Sequence, residues 1–94
     1  MPTEIPVADL WPPPYLIRAA RGLVGIDQAT LAEYAHVSRK AIVSLENDES
    51  VALDYRRVAV LEKVAACLEK RGVEFIKAVG GKGEGVRLSR PKRR

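Results

Sequence analysis

Gln28-Ala29-Thr30-Leu31-Ala32-Glu33-Tyr34-Ala35-His36-Val37-Ser38-Arg39-Lys40-Ala41-Ile42-Val43-Ser44-Leu45-Glu46-Asn47 is the stretch that decides the fold. Leu31, Ala32 and Ala35 recur at helical spacing and give residues 28–35 one apolar face. Asp27 precedes that face as an N-cap, since its carboxylate accepts the orphan amide bonds of the first turn. A turn at His36-Val37 follows, and Ser38 is a second N-cap for a helix from Arg39 to about Asn47.

Projected at about 100° per residue, Ser38, Ala41, Ile42 and Leu45 fall on one side of the second helix. Arg39, Val43, Asn47, Lys40 and Ser44 spread over about 140° on the other side. That outer face is rich in donors and free of acids. Arg and Lys donate to guanine O6 and N7, Ser donates or accepts, and Val suits a thymine methyl. Two short helices joined by a tight turn make a helix-turn-helix unit. The bland reading is a solvated helix face.

Outward from this unit, Leu16, Ile17, Ala20 and Leu23 mark an amphipathic helix from Tyr15 to Leu23, which Gly22 and Gly25 weaken and close. Asp54 caps a longer helix through Tyr55 to Arg71, with Val58, Leu61, Ala65 and Leu68 on its buried stripe and Gly72 as the left-handed stop. Glu62 and Glu69 lie near Arg and Lys at helical spacings and read as surface pairs. Cys67 lies beside the stripe as a small core or interface residue. Residues 73–79 and 86–89 read as a β-hairpin around the glycines at 80, 81, 83 and 85. A lone hairpin is marginal in water, so it packs on the helices or pairs with another copy. Phe75, Ile76, Val79 and Leu88 are more apolar surface than a thin hairpin covers, which makes them the candidate dimerisation residues. Residues 1–14 hold five of the six prolines and read as an extended polyproline arm with Trp11 and its neighbours as a lid on the body.

The expected organisation is therefore a Pro-rich arm over 1–14, a helical domain over 15–71, a hairpin over 72–89 and a basic tail over 90–94. Ninety-four residues allow one such domain, too small for an enzyme with a deep cleft. One cysteine and one histidine exclude a disulfide framework and a Cys/His metal centre. No catalytic set, cofactor site or metal site is expected. No apolar run reaches the roughly 18 residues of a membrane span, and residues 1–15 lack the basic start of a signal peptide, so the expectation is a cytoplasmic protein without a membrane partner. The formal charge is +4, from 16 basic and 12 acidic residues. Arg87, Arg90, Lys92, Arg93 and Arg94 account for five of the positives, leaving 11 basic against 12 acidic residues in the body. Such a tail gains phosphate affinity by counterion release without reading sequence, or simply solubilises the end.

The pattern Gln28-x-x-Leu31-Ala32, Val37-Ser38, Ile42 and Leu45-Glu46-Asn47 resembles the Cro/C1-type (XRE) helix-turn-helix family of phage repressors and bacterial regulators. Residues 17–23 are similar to that family's first helix, and the resemblance runs over about 15–71. It implies a mainly α, lambda-repressor-like DNA-binding domain followed here by the C-terminal β-hairpin. Carried over by position, Arg39, Lys40 and Ser44 read base edges, with Val43 between them. Gln28, Ser38 and Asn47 contact phosphates, and Arg21 with Glu46 form an internal salt bridge bracing the first helix against the third. His36 departs from the family, because glycine usually holds that turn; histidine tolerates the left-handed region better than most residues. Asp48 and Glu49 also depart, standing where basic or glycine residues usually meet the backbone; Arg56 and Arg57 are then either the substitute phosphate contacts or a plain solvated face.

The reading that follows is a transcriptional regulator that binds double-stranded DNA sequence-specifically, most simply a repressor, acting as a homodimer on an inverted-repeat operator. Two alternatives stay open: an antitoxin-like autorepressor whose hairpin or arm also binds a partner protein, and an interaction adaptor that uses the fold without reading DNA.

Overall fold

The computed structural model describes residues 4–47 and 49–91. Asp48 of the acidic loop, residues 1–3 of the arm and residues 92–94 of the tail lie outside them. Among the described residues the elements run β1 (Glu4–Pro6), two short 3-10 turns (Val7–Asp9 and Pro14–Leu16), α1 (Ile17–Val24), α2 (Gln28–Ala35), α3 (Arg39–Glu46), β2 (Ala52–Asp54), α4 (Tyr55–Lys70), β3 (Val73–Ile76) and β4 (Gly85–Leu88).

Each helix start obeys its local chemistry. Asp27 Oδ1 accepts from the Thr30 amide at 2.7 Å, Ser38 Oγ from Ala41 at 3.0 Å and Asp54 Oδ1 from Arg57 at 2.9 Å. Gly25 closes α1 with φ 69°, and Gly72, two residues past α4, takes φ 98°. His36 ends α2 at φ 58°, ψ 43°, the left-handed conformation expected of it, and its amide and that of Val37 tie off the last turn.

The core is built around α4, which touches the other three helices and both strand pairs. Its buried residues are Val58, Leu61, Ala65 and Leu68, as expected, together with Val64. Against them lie Ile17 and Ala20 of α1, Leu31, Ala32 and Ala35 of α2, and Ile42 and Leu45 of α3. Val64, three residues from Leu61 and four from Leu68, lies at the edge of the same stripe.

Two features differ from the expectation. The arm is not free polyproline: β1 pairs antiparallel with β2, Ile5 opposite Leu53, and the Val7 amide extends the ladder to the Val51 carbonyl at 2.8 Å. Leu53, inside a segment with no strand signal, is fully buried. Trp11 is not the lid either, being 41% exposed while Pro12, Pro13 and Pro14 are buried. Proline rings have no amide donor to satisfy and bury cheaply, whereas the indole N–H needs a partner. Lys77 of the hairpin loop lies over the Trp11 ring, 5.4 Å from its centroid.

The C-terminal strands form the expected hairpin, with Val73 opposite Leu88 and Phe75 opposite Val86. The ladder is shorter than predicted, stopping at Ile76, and resumes only at Val79, which exchanges both backbone bonds with Lys82 at 3.0 Å. Gly80 and Gly81 between them both have positive φ, which this tight two-residue turn demands.

Candidate nucleic-acid interface

The side of α3 turned away from the core carries Arg39, Lys40 and Ser44, all exposed, with Val43 half-buried among them. These are the residues assigned to base edges, and the buried Ile42 and Leu45 hold the helix so that they share one outward side. Ser38 spends an oxygen lone pair on its cap, which leaves its hydroxyl proton free to donate.

Two notches flank this helix. The first, of about 420 Å³, gathers Arg18, Gln28, Arg39 and Asn47 around the junction of α1, α2 and α3. It therefore brings two of the assigned phosphate-contacting residues, Gln28 and Asn47, beside the assigned base-reading Arg39. The second, of about 250 Å³, lies between the end of α3 and the start of α4 and is lined by Ser44, Leu45, Val60 and both Arg56 and Arg57. Arg56 and Arg57 sit in the first turn of α4, where the helix dipole disfavours a cation.

Arg18 is a residue the sequence reading did not single out. It shares a side of α1 with Arg21 three positions on, and folding brings it into the same notch as Gln28.

The floor of the first notch is an ion pair. Arg21 Nε donates to Glu46 Oε2 at 2.8 Å and its Nη2 to Oε1 at 2.9 Å, while Nη1 donates to the Ile26 carbonyl at 3.1 Å. Gln28 Nε2 donates to Glu46 Oε1 at 3.1 Å, so its side chain is anchored at one end. The Glu46 side chain is 1% exposed and that of Arg21 17%. Burial alone pushes the Glu46 carboxyl up, but the hydrogen bonds from Arg21 and Gln28 and the nearby arginine charges reverse this and hold it below the usual carboxylate range. The bond to Glu46 raises Arg21 against a smaller effect of burial. Asp27 is held low chiefly by the Thr30 amide, with Arg21 and Arg39 adding to it. With both acids ionised, three arginines against two carboxylates leave the notch with one net positive charge.

The four residues assigned to dimerisation do not share one surface. Phe75 packs with Val86 against the core, and Leu88 lies on that same side of the hairpin, opposite Val73. Ile76 is on the other side with Glu74 and Arg87, which pair across the strands, and Val79 is 74% exposed at the turn.

Among the described residues no three His, Cys, Asp or Glu side chains converge to hold a metal ion, and no helix is long and apolar enough to cross a membrane. A family model described as helix-turn-helix matches residues 17–71, which takes in α1 to α4 whole. No curated protein matches the chain.

Proposed function

The chain belongs to the Cro/C1-type helix-turn-helix (XRE) family of DNA-binding transcription regulators, and on that premise we propose that it is a homodimeric repressor of an inverted-repeat operator. The observation that carries this reading is the outer side of α3, where Arg39, Lys40, Val43 and Ser44 stand between two arginine-bearing notches. In the proposed complex α3 lies in the major groove. Arg39 and Lys40 donate to guanine, Ser44 to a neighbouring base, and Val43 covers a thymine methyl. Gln28, Ser38 and Asn47 hold one phosphate strand, and Arg56 and Arg57 hold the other. The Arg21–Glu46 pair fixes the angle between α1 and α3, so that both contacts meet the duplex together.

One such helix reads only a few base pairs, and a two-fold dimer adds a second half-site about 34 Å away. Ile76 and Val79, left on the outer side of the hairpin, are the proposed centre of that dimer. Repression then follows from occupancy, because a duplex held on both half-sites is closed to polymerase.

Selection of bound duplexes from a random library tests this. The expected product is an inverted repeat with half-site centres one helical turn or a multiple of it apart. Arg39→Ala should cost about 1–3 kcal/mol at one base position and relax preference there. A uniform loss on every sequence would remove α3 as the reading element.

A further inference from the structure

A shallow groove of about 810 Å³ lies between the end of α2 and the second half of α4. Its rim is Tyr34, His36, Lys63, Lys70 and Arg71, and its floor is small and apolar around Cys67. No lining residue is acidic. Lys63 and Lys70 are two turns apart on one stripe of α4, about 10 Å along the axis. The positions three and four away from them within the helix are Ala59, Val60, Ala66 and Cys67, none of which can neutralise a lysine. Glu62 and Glu69, expected to serve as surface partners, form no ion pair among the described residues. Arg71 stacks on the Tyr34 ring at 3.4 Å from its centroid, which fixes a planar cation on the rim instead of leaving it in solvent.

We infer that this groove docks an acidic segment of another protein, with carboxylates meeting Lys63 and Lys70 and an apolar side chain between them seated over Cys67. Like charges gathered without counter-charge gain most from a surface of opposite sign, and such complementarity selects partners as well as attracting them. DNA is the competing polyanion. The groove shares no residue with the notches beside α3, and Lys70 lies about 21 Å along α4 from Arg56. A phosphate strand also has no apolar side chain to fill the floor. The inference is independent of the DNA reading and goes beyond it: a regulator seated on a duplex through α3 would keep this groove open to a second protein.

The test uses the full chain, isotope-labelled and saturated with a short duplex, titrated with a synthetic peptide that alternates glutamate pairs with leucine. Amide shifts are expected at Tyr34, His36 and along 63–71 with the duplex still bound. Lys63→Ala with Lys70→Ala should weaken the peptide at least about tenfold and leave duplex affinity and its salt dependence unchanged. The same peptide with glutamine in place of glutamate should not bind. Three results would overturn the inference: no binding, shifts confined to Arg18 and Arg39 with displacement of the duplex, or loss of duplex affinity in the double lysine variant. The last would make the groove a phosphate contact.

Discussion

The two strand pairs are equal in kind and opposite in construction. β3 and β4 are joined by a loop closed on Gly80-Gly81, and their cross-strand ion pair, Glu74 with Arg87, is exposed. β1 and β2 are only three residues each, and Glu4 meets Asp54 after α1, α2 and α3 have intervened. Their ladder is backed by Leu53, which is fully buried. The ion pairs sort the same way: Arg21 and Glu46 are 25 residues apart and nearly enclosed. Of these two ion pairs, the one closer in sequence lies at the surface and the one between distant residues is enclosed.

Substitutions should rank by that division. Leu53→Ala opens a cavity under β1 and β2 and should cost about 3–4 kcal/mol, read by chemical denaturation. A loss below about 1 kcal/mol would mean that this small sheet is ornament and the contrast is false. Arg21→Ala strands the Glu46 carboxylate with Gln28 alone and should cost about 2–3 kcal/mol at neutral pH.

That second effect carries a pH signature. Glu46 is depressed in the folded chain, so its contribution is full above the ordinary glutamate value, about 4.3, and is lost as pH falls through the depressed one. Arg21, already raised, stays charged throughout and adds no titration of its own. The gap between wild type and Arg21→Ala should therefore narrow in acid; a gap constant from pH 7 to 3 would show that packing, not charge, makes the difference.

Smaller effects sharpen the comparison. Ile5→Ala removes a half-buried side chain from β1 and should cost about 1 kcal/mol, with faster proteolysis of the arm as the readout. Glu74→Gln breaks the exposed hairpin pair and should cost under about 0.5 kcal/mol. If Glu74→Gln matched Arg21→Ala, the ranking would be overturned.

The same division explains what could be read in advance. The caps Asp27, Ser38 and Asp54 act within three residues of themselves, so their spacing announces them. His36 was legible from the resemblance, which puts it where the family usually holds a turn glycine. The outer side of α3 followed from projecting ten residues. What escaped depended on distant parts of the chain. A three-residue strand has no period, so nothing in Glu4–Pro6 or Ala52–Asp54 announced the other. Arg18 joined the first notch only once residues from three helices were brought together. Trp11 looked like the covering group because it is large, yet the three prolines beside it carry no donor and were cheaper to bury. The split of Phe75 and Leu88 from Ile76 follows strand alternation once the register is fixed, and register is a property of the folded pair.

The pairing of β1 with β2 also orders events at the ribosome. β1 is translated before β2, yet its partner is made only after the three helices between them, and at about 5–20 residues per second the wait lasts seconds. α1, α2 and α3 are complete in that interval, but the earlier strand has no partner and α4, around which the core is built, is still to be made. β1 thus waits for a partner made three helices later, and a nascent chain stalled before Ala52 would present α1 to α3 without either that clasp or α4.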